Sequence, residues 1–166
     1  GPVLWVRRPI EKLATCGRPL SKGGAALKQL EEERRLSALA ARSAWRDISE
    51  VTFAEGDRYL LANLIYCEAG NQPYAGQVAV GAVVINRVLS SVYPNTVSGV
   101  IYQYKQFAPV LDGHLAIALA NDSATAACYK AADEAMSGYT NVGRCVYFRT
   151  PIEGLTGMQI GGHIFY

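Results

Sequence analysis

A single carboxylate, Glu68, sits in the stretch Tyr66 to Val88, which is apolar on both sides of a Gly70-Asn71-Gln72-Pro73 stop. Before it, Leu60, Leu61, Leu64 and Ile65 recur at helical spacing. This predicts one helix over 57–69, with Asp57 as its cap, and a second, very apolar helix over 73–92 with Pro73 near its start. Two helices this poor in charge must be buried, so they dictate a helical core. Glu68 then falls in the last turn of the first helix, facing the second. Desolvation raises a carboxyl pKa, and so does the negative end of a helix dipole. A Glu held protonated near neutral pH is what a general acid needs. The competing reading is an exposed Glu, or one paired with an Arg such as Arg87.

The flanking segments set the fold class. Residues 1–24 are punctuated by Pro and Gly and read as irregular. A helix is predicted over 25–47, with Leu27, Leu30, Leu36, Leu39 and Trp45 on a thin apolar stripe and Ser21 near its cap. Its cluster Glu31-Glu32-Glu33-Arg34-Arg35 favours solvent. That helix reads as a linker, as packing on the domain, or as a seam for a second copy or regulatory partner. Composition changes at Glu55, which divides an N-terminal extension, 1–56, from a main domain, 57–166. Within the latter, 96–104 reads as a short helix and 107–113 as a loop or hairpin. A helix follows over 122–137, with Asn121 or Asp122 as its cap and Gly138 ending it. Residues 146–149 alternate as a strand, 151–162 form a Gly-rich loop, and 163–166 form a terminal strand. The sum is an α+β domain, mainly helical with a small antiparallel sheet.

Charge and cysteines narrow the function classes. The 166 residues carry a net charge of +2, too little to argue for nucleic acid, and a mean hydropathy of +0.07. Residues 1–56 hold ten Lys/Arg against seven Asp/Glu, and residues 57–166 hold six against seven. No apolar run reaches the roughly 18 residues of a membrane span. Gly1-Pro2 reads as a protease-cleavage scar, so any export signal lies outside the sequence. Cys16, Cys67, Cys128 and Cys145 match no zinc or redox spacing. They remain open as free thiols or as disulfides, a Cys67–Cys145 bridge among them. A nucleophilic Cys67 would need a His nearby, and only His114 and His163 exist.

Several uncommon words occur in order: YCEAG, YAGQVAVGAVVINRV, YPNTVSGVIYQ, QFAPV-LDG and a closing IGGHIFY. Together they resemble the cell-wall hydrolases of the spore cortex-lytic type, germination enzymes that cleave peptidoglycan glycan strands. The resemblance covers about residues 57–166. It implies a lysozyme-like fold, export to the cell wall or spore envelope, glycan strands as the partner, no cofactor, and a single catalytic Glu at Glu68. The stretch between Arg149 and Ile160 is shorter than that pattern and lacks its Trp-rich run, which leaves the vegetative wall open as substrate beside the cortex.

The same resemblance points to substrate-binding residues around Glu68. Gln77, on the second helix, is read as lining the cleft, or else as a buried amide capping a loop. Gln106 and Phe107 offer an amide and a ring to a sugar. Asp112 is either a turn residue or a second carboxylate. Tyr147 and Phe148 alternate, which turns one toward the cleft and the other toward the core; by analogy with lysozyme-like sites, the resemblance implies Tyr147 as the one near Glu68. His163 is read as a cleft or C-terminal structural residue. The implied chemistry is lytic transglycosylation, with Glu68 acting as acid and then base. The alternatives are a muramidase or glucosaminidase using Asp112 as base, a zinc amidase using His114 and His163, and a non-catalytic wall-binding module.

Overall fold

The computed structural model describes residues 24–103 and 106–166. Residues 1–23, expected to be irregular and including Cys16 and Ser21, lie outside the described residues. Helix α1 spans Gly24–Arg42, and a short 3-10 turn follows at Ile48–Glu50. Helices α2 (Asp57–Ala69) and α3 (Tyr74–Leu89) flank the Gly70–Pro73 stop, as the apolar pattern predicts. Then come α4 (Val97–Ile101), α5 (Ala108–Leu111), α6 (His114–Asn121) and α7 (Ala126–Met136). Strands β1 (Phe148–Arg149), β2 (Met158–Ile160) and β3 (His163–Phe165) form an antiparallel sheet in the order β1-β3-β2. Phe148 and Met158 both register on Phe165.

Helix α3 is the centre of the core: every residue from Gly76 to Val88 is buried. It packs between α2 and α7. Gly81 permits the close approach, since a Cβ there would lie 3.1 Å from Ala135 Cβ and 3.2 Å from Ile65 Cδ1. Buried polar groups tie the helices to the sheet. Arg87, fully buried, donates from Nε to Val146 O (2.8 Å) and from Nη1 to Gln106 Oε1 (2.9 Å). Its guanidinium stacks on the rings of Tyr93 and Tyr147, 4.6 and 4.9 Å from their centroids. Burial pulls the Arg87 pKa below its ordinary value.

Several local expectations are corrected. Residues 107–113 contain the helical turn α5, and α6 follows a left-handed Gly113 in a segment with no predicted element. The helix expected from 122 begins at Ala126, because Thr125 caps it by accepting from Cys128 N at 3.2 Å. Asp122 instead ends α6 in the left-handed region (φ 46°) and accepts from Tyr129 Oη at 2.6 Å. Gly56 is the N-cap of α2, while Asp57 accepts from Ala54 N at 2.8 Å. Strand β2 arises inside the expected Gly-rich loop because its backbone completes the sheet on β3.

Helix α1 lies on the main domain, with Leu36 and Ala40 in the central core and Leu30 beside Leu155 and Ile164. Its charged cluster is not wholly in solvent. Glu33 is fully buried, accepting from Arg149 Nη1 at 3.1 Å and from Tyr166 Oη at 2.6 Å. The connector after α1 is pinned to the end of α3: Arg46 N donates to Leu89 O at 2.8 Å, and Trp45 bridges Ser90. Cys67, Cys128 and Cys145 are all free thiols, so the Cys67–Cys145 bridge does not form. No described helix is long and apolar enough to cross a membrane.

Candidate active site

Glu68 occupies the last turn of α2, as the sequence predicts, and is 1% exposed. Both carboxylate oxygens are buried and lack a hydrogen-bond partner among the described residues. Burial raises its pKa well above the ordinary 4.5, and the charge of Asp112 adds to the effect. The Arg87 pairing does not occur, since Arg87 is held by Val146 and Gln106. The surroundings of Glu68 thus favour its protonated form.

A cleft of about 590 Å³ opens next to it. One wall is the end of α2 and the turn after it, with Tyr66, Cys67 and Asn71; the other is α5 and α6, with Pro109, Asp112 and Ile117. Cys67, its neighbour in sequence, and Asp112, whose charge acts on it, both line this cleft, while the buried Glu68 does not. Asp112 is held by its neighbour: Oδ1 accepts from His114 N at 2.9 Å, and Oδ2 lies 3.0 Å from His114 Nδ1. Burial, with the Glu68 charge second, pushes the Cys67 thiol up to about 12, which leaves it a poor nucleophile.

Of the expected substrate-binding residues, the structure brings only Asp112 to the cleft. Gln77 is 5% exposed, and its Nε2 donates to Gln72 O at 3.4 Å, so it braces the α2–α3 turn. Gln106 and Phe107 are buried around Arg87, the ring centroid of Phe107 lying 6.0 Å from the guanidinium. Tyr147 does not face the cleft. It stacks on Tyr166 at 5.4 Å and accepts from Tyr93 Oη at 3.2 Å. Phe148 likewise stacks on Phe165 at 5.5 Å. Strand alternation misleads here because both residues of β1 are buried, Phe148 in the helical core and Arg149 against Glu33 of α1. His163 is buried edge-on against both the Phe148 and Phe165 rings, and desolvation lowers its pKa to about 4.

Among the described residues no three His, Cys, Asp or Glu side chains converge as a metal site, so the amidase ligand set of His114 and His163 is not assembled there. Sequence reasoning missed Tyr66, Asn71 and Ile117. The last of these was findable only by recognising α6, whose Ala/Leu/Ile composition carries no polar periodicity.

The profile of the cell wall hydrolase family matches residues 71–166, beginning three residues after Glu68. A spore cortex-lytic enzyme of Oceanobacillus iheyensis is 38% identical over 68% of this chain and 42% of its own length. One from Bacillus cereus is 37% identical over 68% and 45%. The chain therefore spans less than half the length of these curated relatives. Among solved structures, the catalytic domain of the Bacillus cereus SleB protein superposes with a TM-score of 0.59 at 35% identity, covering 72% of this chain and 96% of that one. The catalytic domain of a germination-specific lytic transglycosylase, SleB of Bacillus anthracis, gives 0.58 at 35% identity, covering 68% and 95%. The lysozyme-like α+β architecture expected from the sequence is the one observed.

Proposed function

This chain is a member of the cell wall hydrolase family, and from that premise we propose that it cleaves peptidoglycan glycan strands with Glu68 as the sole acid and base. The observation that carries the reading is the Glu68 carboxyl itself: fully buried, free of hydrogen bonds among the described residues, and beside an open cleft.

The reaction is lytic transglycosylation between N-acetylmuramic acid and N-acetylglucosamine. Glu68 gives its proton to the glycosidic oxygen, the C1–O bond breaks, and positive charge develops at muramic C1. The substrate's own N-acetyl carbonyl stabilises that charge, so no second protein carboxylate is needed. The Glu68 carboxylate then takes the proton from the muramic C6 hydroxyl as its oxygen bonds to C1, closing a 1,6-anhydro ring and restoring the acid. Desolvation suits both steps, because it keeps the acid protonated and makes its anion a strong base. Because Glu68 is buried and does not itself line the cleft, productive binding requires a side-chain shift beside it. No metal or cofactor takes part. A substrate of this kind lies outside the cytoplasmic membrane, so the reading carries export with it. The printed names of the relatives support the wall as target.

A second reading is favoured by the place of Asp112 on the cleft wall: that carboxylate activates a water, and the product is a reducing-end sugar. Mass spectrometry of muropeptides released from purified peptidoglycan by the wild type and by Glu68→Gln separates the two. Anhydro-muropeptides from the wild type alone are expected. Reducing ends would transfer the assignment to the hydrolase, and release undiminished in Glu68→Gln would overturn both.

A further inference from the structure

The cleft beside Glu68 has a distinct chemical character. Its volume, about 590 Å³, falls within the roughly 300–1,000 Å³ of small-ligand sites. Two large apolar side chains stand open on its opposite walls, Tyr66 on α2 at 40% exposure and Ile117 on α6 at 58%. Nothing in the fold requires them to be apolar, since residues this exposed contribute little to the core. Exposed apolar surface gathered along a cleft marks a contact site. The polar groups set among them are uncharged or already engaged. Asn71 and Ser123 offer an amide and a hydroxyl, while His114 is turned onto Asp112. Among the described residues lining the cleft, none is Lys or Arg.

We propose that Tyr66 and Ile117 form the two jaws of a sugar subsite that grips a neutral, N-acetylated pyranose next to the Glu68 proton donor. A pyranose has C–H faces and a hydroxylated rim. The C–H face lies on the Tyr66 ring, the acetamide methyl packs on Ile117, and the rim meets Asn71 and Ser123. A ring whose substituents are carboxylates has no free cation to meet here, and Asp112 repels it. The jaws bind and orient the strand; they take no part in proton transfer. This inference rests on the glycan-cleaving reading and names which part of the strand the cleft holds.

The test titrates a linear N-acetylglucosamine pentamer into the full chain carrying Glu68→Gln, by calorimetry, alone and combined with Tyr66→Ala, Tyr66→Phe or Ile117→Ala. Loss of the ring is expected to weaken binding about tenfold and Tyr66→Phe less than about twofold, because the ring face carries the contact. Ile117→Ala is expected to weaken it severalfold. Unchanged melting temperatures are expected, as both side chains are exposed. A hyaluronan oligomer of equal length, with a carboxylate on every second sugar, is expected to bind at least about tenfold more weakly than the pentamer. Equal binding of the two oligomers, equal binding by Tyr66→Ala, or no pentamer binding at all would overturn the subsite. In the active background, Tyr66→Ala should slow release from soluble glycan strands at low strand concentration and leave the saturated rate within about twofold. A variant that matches wild type at every concentration sinks the subsite and leaves the glycan-cleaving reading intact. Pentamer binding that needs Tyr66, with no strand cleavage by wild type, upholds the subsite and removes the catalytic reading.

Discussion

Glu33 Oε1 and Arg149 Nη1 meet at 3.1 Å with both side chains out of solvent, joining α1 to the strand that ends the helical core. The Tyr166 hydroxyl donates to the same carboxylate. Removing one partner of a buried ion pair strands the other, at a cost of about 3–5 kcal/mol. Glu33→Ala is therefore expected to lower the unfolding free energy by that amount, measured by urea denaturation. Adding Arg149→Met should recover much of it, because the buried cation goes too. A loss below about 1 kcal/mol in Glu33→Ala would mean that α1 is not held by this pair.

Glu68 makes a prediction about stability. Its folded pKa is raised above the unfolded 4.5, so the folded state binds the proton more tightly. Below pH 4.5 both states are protonated and stability is at its full value. As pH rises from there toward the folded pKa, the wild type loses stability by up to about 1.4 kcal/mol per unit. Glu68→Gln does not titrate and escapes this loss. The mutant is expected to gain on the wild type between pH 4 and pH 7 in urea denaturation. A gap that stays constant over that range would show that Glu68 titrates normally.

Asp112 contributes to that raised pKa after desolvation. Removing its charge in Asp112→Asn should lower the Glu68 pKa, so the alkaline limb of the pH–activity profile moves toward lower pH. Peptidoglycan turbidity assays across pH measure it. In the hydrolytic reading Asp112 is the base, and the same variant abolishes turnover at every pH instead of moving the limb.

His163 is buried neutral, with its pKa lowered from 6.5 to about 4. The unfolded state takes up a proton first as pH falls, so stability is complete above pH 6.5 and declines between 6.5 and about 4. In His163→Gln this part of the acid decline should be absent. Parallel stability curves for the two proteins below pH 6.5 would show that His163 is protonated in the fold.

Cys67 lines the cleft yet its thiol is pushed up to about 12. Alkylation needs the thiolate. At pH 8 iodoacetamide should therefore modify Cys67 far more slowly in the folded chain than in urea, read by peptide mass spectrometry. Fast labelling in the folded state would reinstate Cys67 as a nucleophile candidate.

The legible parts of the site were those set by local pattern. Apolar residues at helical spacing before a Gly-Asn-Gln-Pro stop place Glu68 in a last helical turn, and the structure places it there. Of the motif QFAPV-LDG, Ala108, Pro109 and Asp112 line the cleft, while Gln106 and Phe107 lie inward, because Arg87 lies buried at a site where they can satisfy it. Tyr147 followed the same logic. A two-residue strand with both residues buried has no outward face, so alternation carries no information about the cleft.

Taken alone, the sequence determined the α+β class, the two central helices, the burial of Glu68 and its separation from any neighbouring charge in the chain. These depend on residues within a turn or two of each other. Only the tertiary structure decided which groups come together across the chain: Asp112 near enough for its charge to act on Glu68, Tyr66 and Ile117 on one cleft, and Glu33 buried against Arg149. A run of five charged residues is a solvated helix face by every local rule. It becomes partly buried because the sheet presents an Arg and a Tyr hydroxyl where one of its carboxylates lands, and no local pattern in the sequence records that encounter.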